Sequence, residues 1–245
     1  MKKSLILKQV LPAAFIVLSA AIFTYAQDGA AKQNVRPDHG PVPTAPATPV
    51  VDRDTKYSYE FTQPKFFIKH ILLEHGTDGK GSISFERMNE DVPVVESFEL
   101  SPAVLTKITS LWIALDFLNS QTDYQASQNF SHLGTMRIGM QQGERKRVAE
   151  FNWTHNDSAE ALVNEYRKVT EQVMLVFDIS VARENQPLNA PKLMEVMESL
   201  IKRNGLSDPK QLLPLLRDMS TDEHIPLMAR NHALRIIKQI EKLKE

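Results

Sequence analysis

Cysteine is absent from the chain. That removes disulfides, thiol nucleophiles, zinc–thiolate sites, iron–sulfur clusters and a lipid-modified cysteine from consideration. Glycine is sparse, at 9 residues, and none of it forms a phosphate-cradling loop before a helix. Gly76, Gly79 and Gly81 fall instead between two stretches that read as strands. There is no excess of one charge: 29 basic residues face 30 acidic ones, a formal net charge of -1. A near-neutral chain has no broad basic field for nucleic acid or anionic lipid, so no nucleic-acid partner is expected.

What is present is ordinary for a globular protein: 42% hydrophobic and 24% charged residues over 245 positions. A core of useful size can be buried. The long apolar run is at the N-terminus. Lys2 and Lys3 precede Val10 to Phe23, which is almost wholly apolar, and Thr24-Tyr25-Ala26 follows. A positive start, an apolar centre and small residues at the end are the order of a secretory signal. The apolar run is 14 residues long, short of the roughly 20 that span a bilayer. Residues 1–26 are therefore expected to be a signal peptide, and the mature protein periplasmic or extracellular. An uncleaved N-terminal membrane anchor is the alternative. Membrane contact is otherwise expected only in transit. Removing Lys2, Lys3 and Lys8 leaves 26 bases against 30 acids, a mature charge of -4. Mass spectrometry of exported protein should find Gln27 as the first residue; an intact Met1 in the exported pool would overturn this.

Residues 27–55 are expected to be a Pro/Ala-rich disordered linker, with Pro37, Pro41, Pro43, Pro46 and Pro49. Such proline spacing admits neither a ladder nor a helix and favours extended polyproline II segments. Residues 56–184 read as a sheet domain of α+β class. Tyr57, Tyr59 and Phe61 alternate as on a half-buried strand. After Pro64, residues 65–75 read as a long strand, 82–88 as its return and 93–100 as a further strand. Ser101-Pro102 signals a helix start, with an apolar stripe from Val104 to Leu118 and an end near Asn119. A second hairpin follows over 135–140 and 147–153, and Asp157-Ser158 reads as the cap of a second long helix. The expected architecture is an antiparallel sheet of hairpin–helix units with helices packed on one face.

Residues 185–245 change character and read as a three-helix C-terminal region. Pro191, Asp208-Pro209 and Pro226 mark the starts, and Asn204-Gly205 a stop. Ile225 to Leu234 resembles the second helix of a HEAT-type repeat, where small alanines let paired helices pack closely. One such helix does not make an array, which needs about three units, so a small helical cap is expected. Asn185-Gln186-Pro187 reads as a seam, and a chain ending near Arg183 is expected to remain folded.

No motif carries a specific chemistry. His70 and His75 lie five apart, the wrong spacing for a helical zinc pair, and on a strand they point to opposite faces. No metal and no cofactor are expected. His155 follows the second hairpin, with Glu150 and Asp157 near it in sequence; these three are the candidate catalytic residues if the protein is an enzyme. The competing reading of His155 is a turn histidine at a helix start. Ser101 and Ser158 read as caps, Asp116 as an acid at the boundary of a helix stripe, and Glu144 to Arg147 as a solvated hairpin tip. Asn129-Phe130-Ser131 and Asn152-Trp153-Thr154 fit the glycosylation triplet.

The expected function is an exported, non-enzymatic binding or scaffolding protein, with a protein partner engaged through the C-terminal helices. The alternatives are an exported hydrolase with a dispersed His/acid site, or a small-ligand carrier with a pocket between sheet and helices. A deep polar pocket holding His155 and two acids favours the enzyme. An apolar cavity favours the carrier. A flat surface with an exposed aromatic patch favours the interaction module.

Overall fold

The computed structural model describes residues 54–243. The signal peptide and nearly all of the linker lie outside the described residues. The described residues all belong to one compact unit.

Six strands form one antiparallel sheet: β1 (Thr55–Thr62), β2 (Ile68–Gly76), β3 (Lys80–Arg87), β4 (Val94–Glu99), β5 (Thr135–Gln142) and β6 (Arg145–Phe151). The order is β4-β3-β2-β1-β5-β6, so the first strand is central. Period-two alternation gives the sheet one apolar face. Ile138, Tyr59, Leu73 and Ile83 are register partners across β5, β1, β2 and β3, and all four are buried. Against this face pack α1 (Pro102–Ala114) and α2 (Asp157–Asn185). They contribute Val104, Ile108 and Trp112, and Ala159, Leu162, Tyr166 and Val169. The helices thus lie on one face of an antiparallel sheet, and the fold is α+β with a helical C-terminal region.

The opposite face carries a polar ladder. Arg137 reaches Glu150 at 2.6 Å and Glu60 at 3.5 Å; His70 joins Glu60 at 3.0 Å and Glu86 at 3.5 Å. Opposite charges on neighbouring strands stabilise pairing modestly and keep this face wet.

α2 is 29 residues long and continuous. Its N-terminal half belongs to the sheet core. Leu175 and Ile179, in its C-terminal half, belong to a second core with α3 (Ala190–Lys202), α4 (Leu213–Thr221) and α5 (Leu227–Ile240). The stripes of these three helices, including Met194, Met197, Leu216, Ala233 and Ile236, face one another and α2. Gln172 binds the two parts together. Its carbonyl oxygen accepts from the Ser207 hydroxyl and the Asp208 N–H, and its amide donates to Gln211, which donates to the Glu99 carbonyl. Arg183 pairs with Asp222 at 3.0 Å. Buried Glu165 joins α1 to α2 by accepting from Lys107 and Lys168. Burial pushes this carboxyl up, but the two ammonium groups outweigh it and hold its pKa below the usual range.

Several local expectations need correction. The first helix ends at Ala114, not near Asn119, and Asp116 adopts a positive φ of 42° in the turn beyond it. Asp116 is an exposed turn acid that accepts from Asn119, not a boundary acid of the stripe. The cap of α2 is Asn156, whose side chain accepts from the Ala159 N–H; Asp157 is the first helical residue and Ser158 is no cap. Ser101 occupies the N-cap position of α1 but its hydroxyl makes no capping bond and is buried without a partner. The charged hairpin tip is not simply solvated. Arg147 donates to the Phe117 and Thr122 carbonyls and stacks over Phe117, while Arg145 reaches Leu118 and Asn119. The two arginines clamp the long α1–β5 connection to the sheet edge.

Candidate functional site

Strand β2 begins three residues later than its apolar sequence suggests. Pro64 has no N–H for a ladder, and the Phe66 N–H closes a turn onto the Gln63 carbonyl. Lys65, Phe66 and Phe67 therefore lie in the β1–β2 turn. Phe66 and Phe67 are 43% and 60% exposed, which a strand buried on one face would not allow for two successive aromatics.

A second wall faces them. Ser131–Leu133 forms a short 3-10 turn ending in Gly134, whose φ of 97° suits glycine. A side chain at Gly134 would meet the Phe61 ring at 2.5 Å, so only glycine lets this turn close on β1. Gln63 holds the two turns together: its buried amide donates to the Ser131 and His132 carbonyls at 3.2 and 2.9 Å. Leu133 is thereby held 42% exposed at the rim.

The third wall is α2. Arg167, Thr170, Glu171 and Met174 recur at the spacing of one helical face. Together with Tyr59, Phe61, Ile68 and Ile71 at the end of the sheet, these walls enclose an open cavity of about 620 Å³. The same helical face continues toward the N-terminus of α2 through Glu160, Val163 and Asn164. There an adjoining cavity of about 250 Å³ is lined by Met136, Phe151 and Trp153. Phe66, Leu133 and Arg167 line both, so the two form one groove along α2. Trp153 is 40% exposed and lies beyond the end of β6, edge-on to Phe130 at 5.4 Å.

Arg167 stands at the midpoint of this groove. Its guanidinium donates to Met136 Sδ at 3.1 Å and contacts Asn164 Oδ1 at 3.5 Å. Among the described residues no carboxylate forms an ion pair with it. Burial pushes the Tyr59 hydroxyl up, and the adjacent Arg167 charge works against that shift.

The candidate catalytic residues do not converge. Glu150 lies on the outer face of the sheet, bonded to Arg137. His155 is exposed in the loop before α2 and its ring reaches only Gln128, at 3.4 Å. Asp157 is exposed in the first turn of α2. No hydrogen bond or ion pair links any two of the three among the described residues. His70 and His75 do point to opposite faces: His70 joins the outer ladder, and His75 is buried against Tyr166. Among the described residues no group of three His, Asp or Glu side chains is placed to hold a metal.

In the sequence Asn152 stands out only as the start of a glycosylation triplet. It is buried, and its side chain accepts from the Phe130 N–H and from Gln125 and donates to Asn129. It fixes the loop that carries Phe130 beside Trp153, and its amide is engaged within the fold. No protein-family model matches the chain, and no curated protein matches it.

Proposed function

We propose that this chain is an exported, non-enzymatic binding protein whose binding site is the groove between the β1–β2 turn and α2. The observation that carries the reading is the concentration of Phe66, Phe67, Leu133 and Trp153, all at least 40% exposed, along two adjoining cavities that form one groove. Exposed apolar side chains scattered singly need no explanation, but several rimming one concavity mark a binding surface. The volume falls within the roughly 300–1,000 Å³ typical of small-ligand sites. The groove is mostly apolar with a few polar groups, the pattern expected of a carrier rather than of a hydrolase. The C-terminal helices offer less support for a partner site, because their stripes are spent on their own core; Leu227 and Met228 remain exposed at the start of α5. The export part of the proposal rests on residues 1–26. Among the described residues no helix is long and apolar enough to cross a membrane.

The test uses an apolar fluorescent probe such as an anilinonaphthalene sulfonate. Saturable, single-site binding is expected, with a change in Trp153 emission. Phe66→Ser/Phe67→Ser should weaken it at least about tenfold without changing the melting temperature, since both rings sit in an exposed turn. Unchanged affinity in that variant would overturn the assignment of the groove.

A further inference from the structure

Resting on that reading, we infer that the groove takes an amphiphile made of an aliphatic chain bearing one carboxylate, with the carboxylate seated on Arg167.

The shape comes first. The lining face of α2 runs from Glu160 to Met174, about 21 Å at 1.5 Å per residue. The site is therefore elongated; from Arg167 to Met174 the run is about 10 Å, so a longer chain held at Arg167 bends within the wider cavity of about 620 Å³. The lining then decides the chemistry of that chain. The wider cavity is walled by Phe61, Phe66, Phe67, Ile68, Ile71 and Met174. A peptide laid there would bring an N–H and a carbonyl with every residue, and these walls offer almost no partner for them. Each buried, unpaired backbone group is costly. The β1 and β2 edges that could supply such partners are already paired within the sheet. An aliphatic chain carries no such groups.

The charge fixes the head. Arg167 and Lys65 line the wider cavity against one acid, Glu171, while Glu160 lies at the far end of the adjoining one, so the wider cavity is the electropositive half of the groove. The partners of Arg167 among the described residues are neutral: Met136 Sδ, Asn164 Oδ1 and the Tyr59 hydroxyl. A guanidinium presents a planar fork of donors that fits a carboxylate with two parallel bonds. Placed midway along the groove, it receives a head group while the chain fills the apolar cavity toward Met174. A cationic head would meet Arg167 directly and be rejected.

The experiment displaces the fluorescent probe from the full-length processed protein with tetradecanoate, tetradecanol and tetradecyltrimethylammonium, each below its micellar concentration. Tetradecanoate is expected to compete best and the ammonium worst. Arg167→Gln should weaken tetradecanoate about tenfold to a hundredfold, the range for a lost charge-assisted bond, and leave tetradecanol unchanged; Arg167→Lys should restore part of the loss. Equal competition by tetradecanoate and tetradecanol, unaltered in Arg167→Gln, overturns the carboxylate assignment while the groove stands as an apolar site. Failure of all three to displace a probe that still depends on Phe66 and Phe67 overturns the amphiphile class. A probe insensitive to Phe66 and Phe67 overturns the underlying site as well.

Discussion

Ending the chain after Arg183 is expected to give an aggregating or molten protein, the reverse of what the sequence seam at Asn185-Gln186-Pro187 suggests. Asn185-Gln186-Pro187 does coincide with the end of α2, so the sequence marks a true boundary between elements. It does not mark a boundary between cores. Leu175 and Ile179 face α3, α4 and α5 and are buried there. Removing those helices returns both side chains to water, at about 1.5–3 kcal/mol each, against a total stability of typically 5–15 kcal/mol. The Gln172 network and the Arg183–Asp222 pair go at the same time. The exposed stripe on a rigid helix is also a surface for self-association. Size-exclusion chromatography and thermal melting decide the matter. A monomeric shortened chain with a sharp melt near that of the parent would mean that the sheet portion folds alone. If it aggregates, Leu175→Glu/Ile179→Glu in the shortened chain should recover much of the solubility, since the defect is then a bare apolar stripe.

Periodicity carried most of the architecture. Alternation at Tyr57, Tyr59 and Phe61 marked the central strand, and the stripe from Leu162 to Phe177 marked α2, because both faces are set by side-chain spacing alone. Pro191 and Pro226 likewise sit at or just before helix starts, where a missing N–H costs nothing. The site was harder to see, for a physical reason. Phe66 and Phe67 are apolar and adjacent to an apolar strand, so composition assigns them to it. Only the turn closed by Gln63, whose partners lie nearly seventy residues away, turns them outward. Pro64 was the available signal. Arg167 and Asn152 were silent for a similar reason: the first is one more base on a helix, the second one more triplet, and their roles come from contacts distant in sequence. Asn156, Asp157 and Ser158 are all residue types that favour the cap position, and only backbone geometry chooses Asn156 among them.

Replacing Tyr166 with Phe is expected to cost about 2–6 kcal/mol, although it deletes one oxygen and keeps the ring. That oxygen is the hinge of a buried chain of hydrogen bonds. Trp112 Nε1–H donates to it at 2.9 Å, and it stands 2.9 Å from His75 Nε2. His75 Nδ1 lies 2.8 Å from the Gly76 carbonyl, which can only accept. The protons therefore run one way: indole to phenol, phenol to Nε2, Nδ1–H to carbonyl. All three side chains are buried, and Tyr166 also stacks on Tyr59 at 5.5 Å. Phe at this position leaves the Trp112 donor and the His75 acceptor without partners in a dry core, each worth about 1–3 kcal/mol. The melting temperature should fall by on the order of 10 °C. The same arrangement sets a pH dependence. Burial holds the His75 pKa below the usual histidine value of 6.5, outweighing the Gly76 bond and the Asp78 charge that raise it. Below pH 6.5 the unfolded chain takes up the proton before the folded one does. His75 thus contributes stability that is present above pH 6.5 and lost as pH falls toward its folded value, at up to about 1.4 kcal/mol per pH unit. His75→Leu should remove this part of the acid destabilisation while leaving the Tyr166 hydroxyl without its acceptor. Thermal melts at pH 7.5 and pH 5.5 test both statements. A Tyr166→Phe variant within about 0.5 kcal/mol of the parent at pH 7.5 would show that water or a shifted rotamer satisfies Trp112 and His75, and that the buried chain is dispensable.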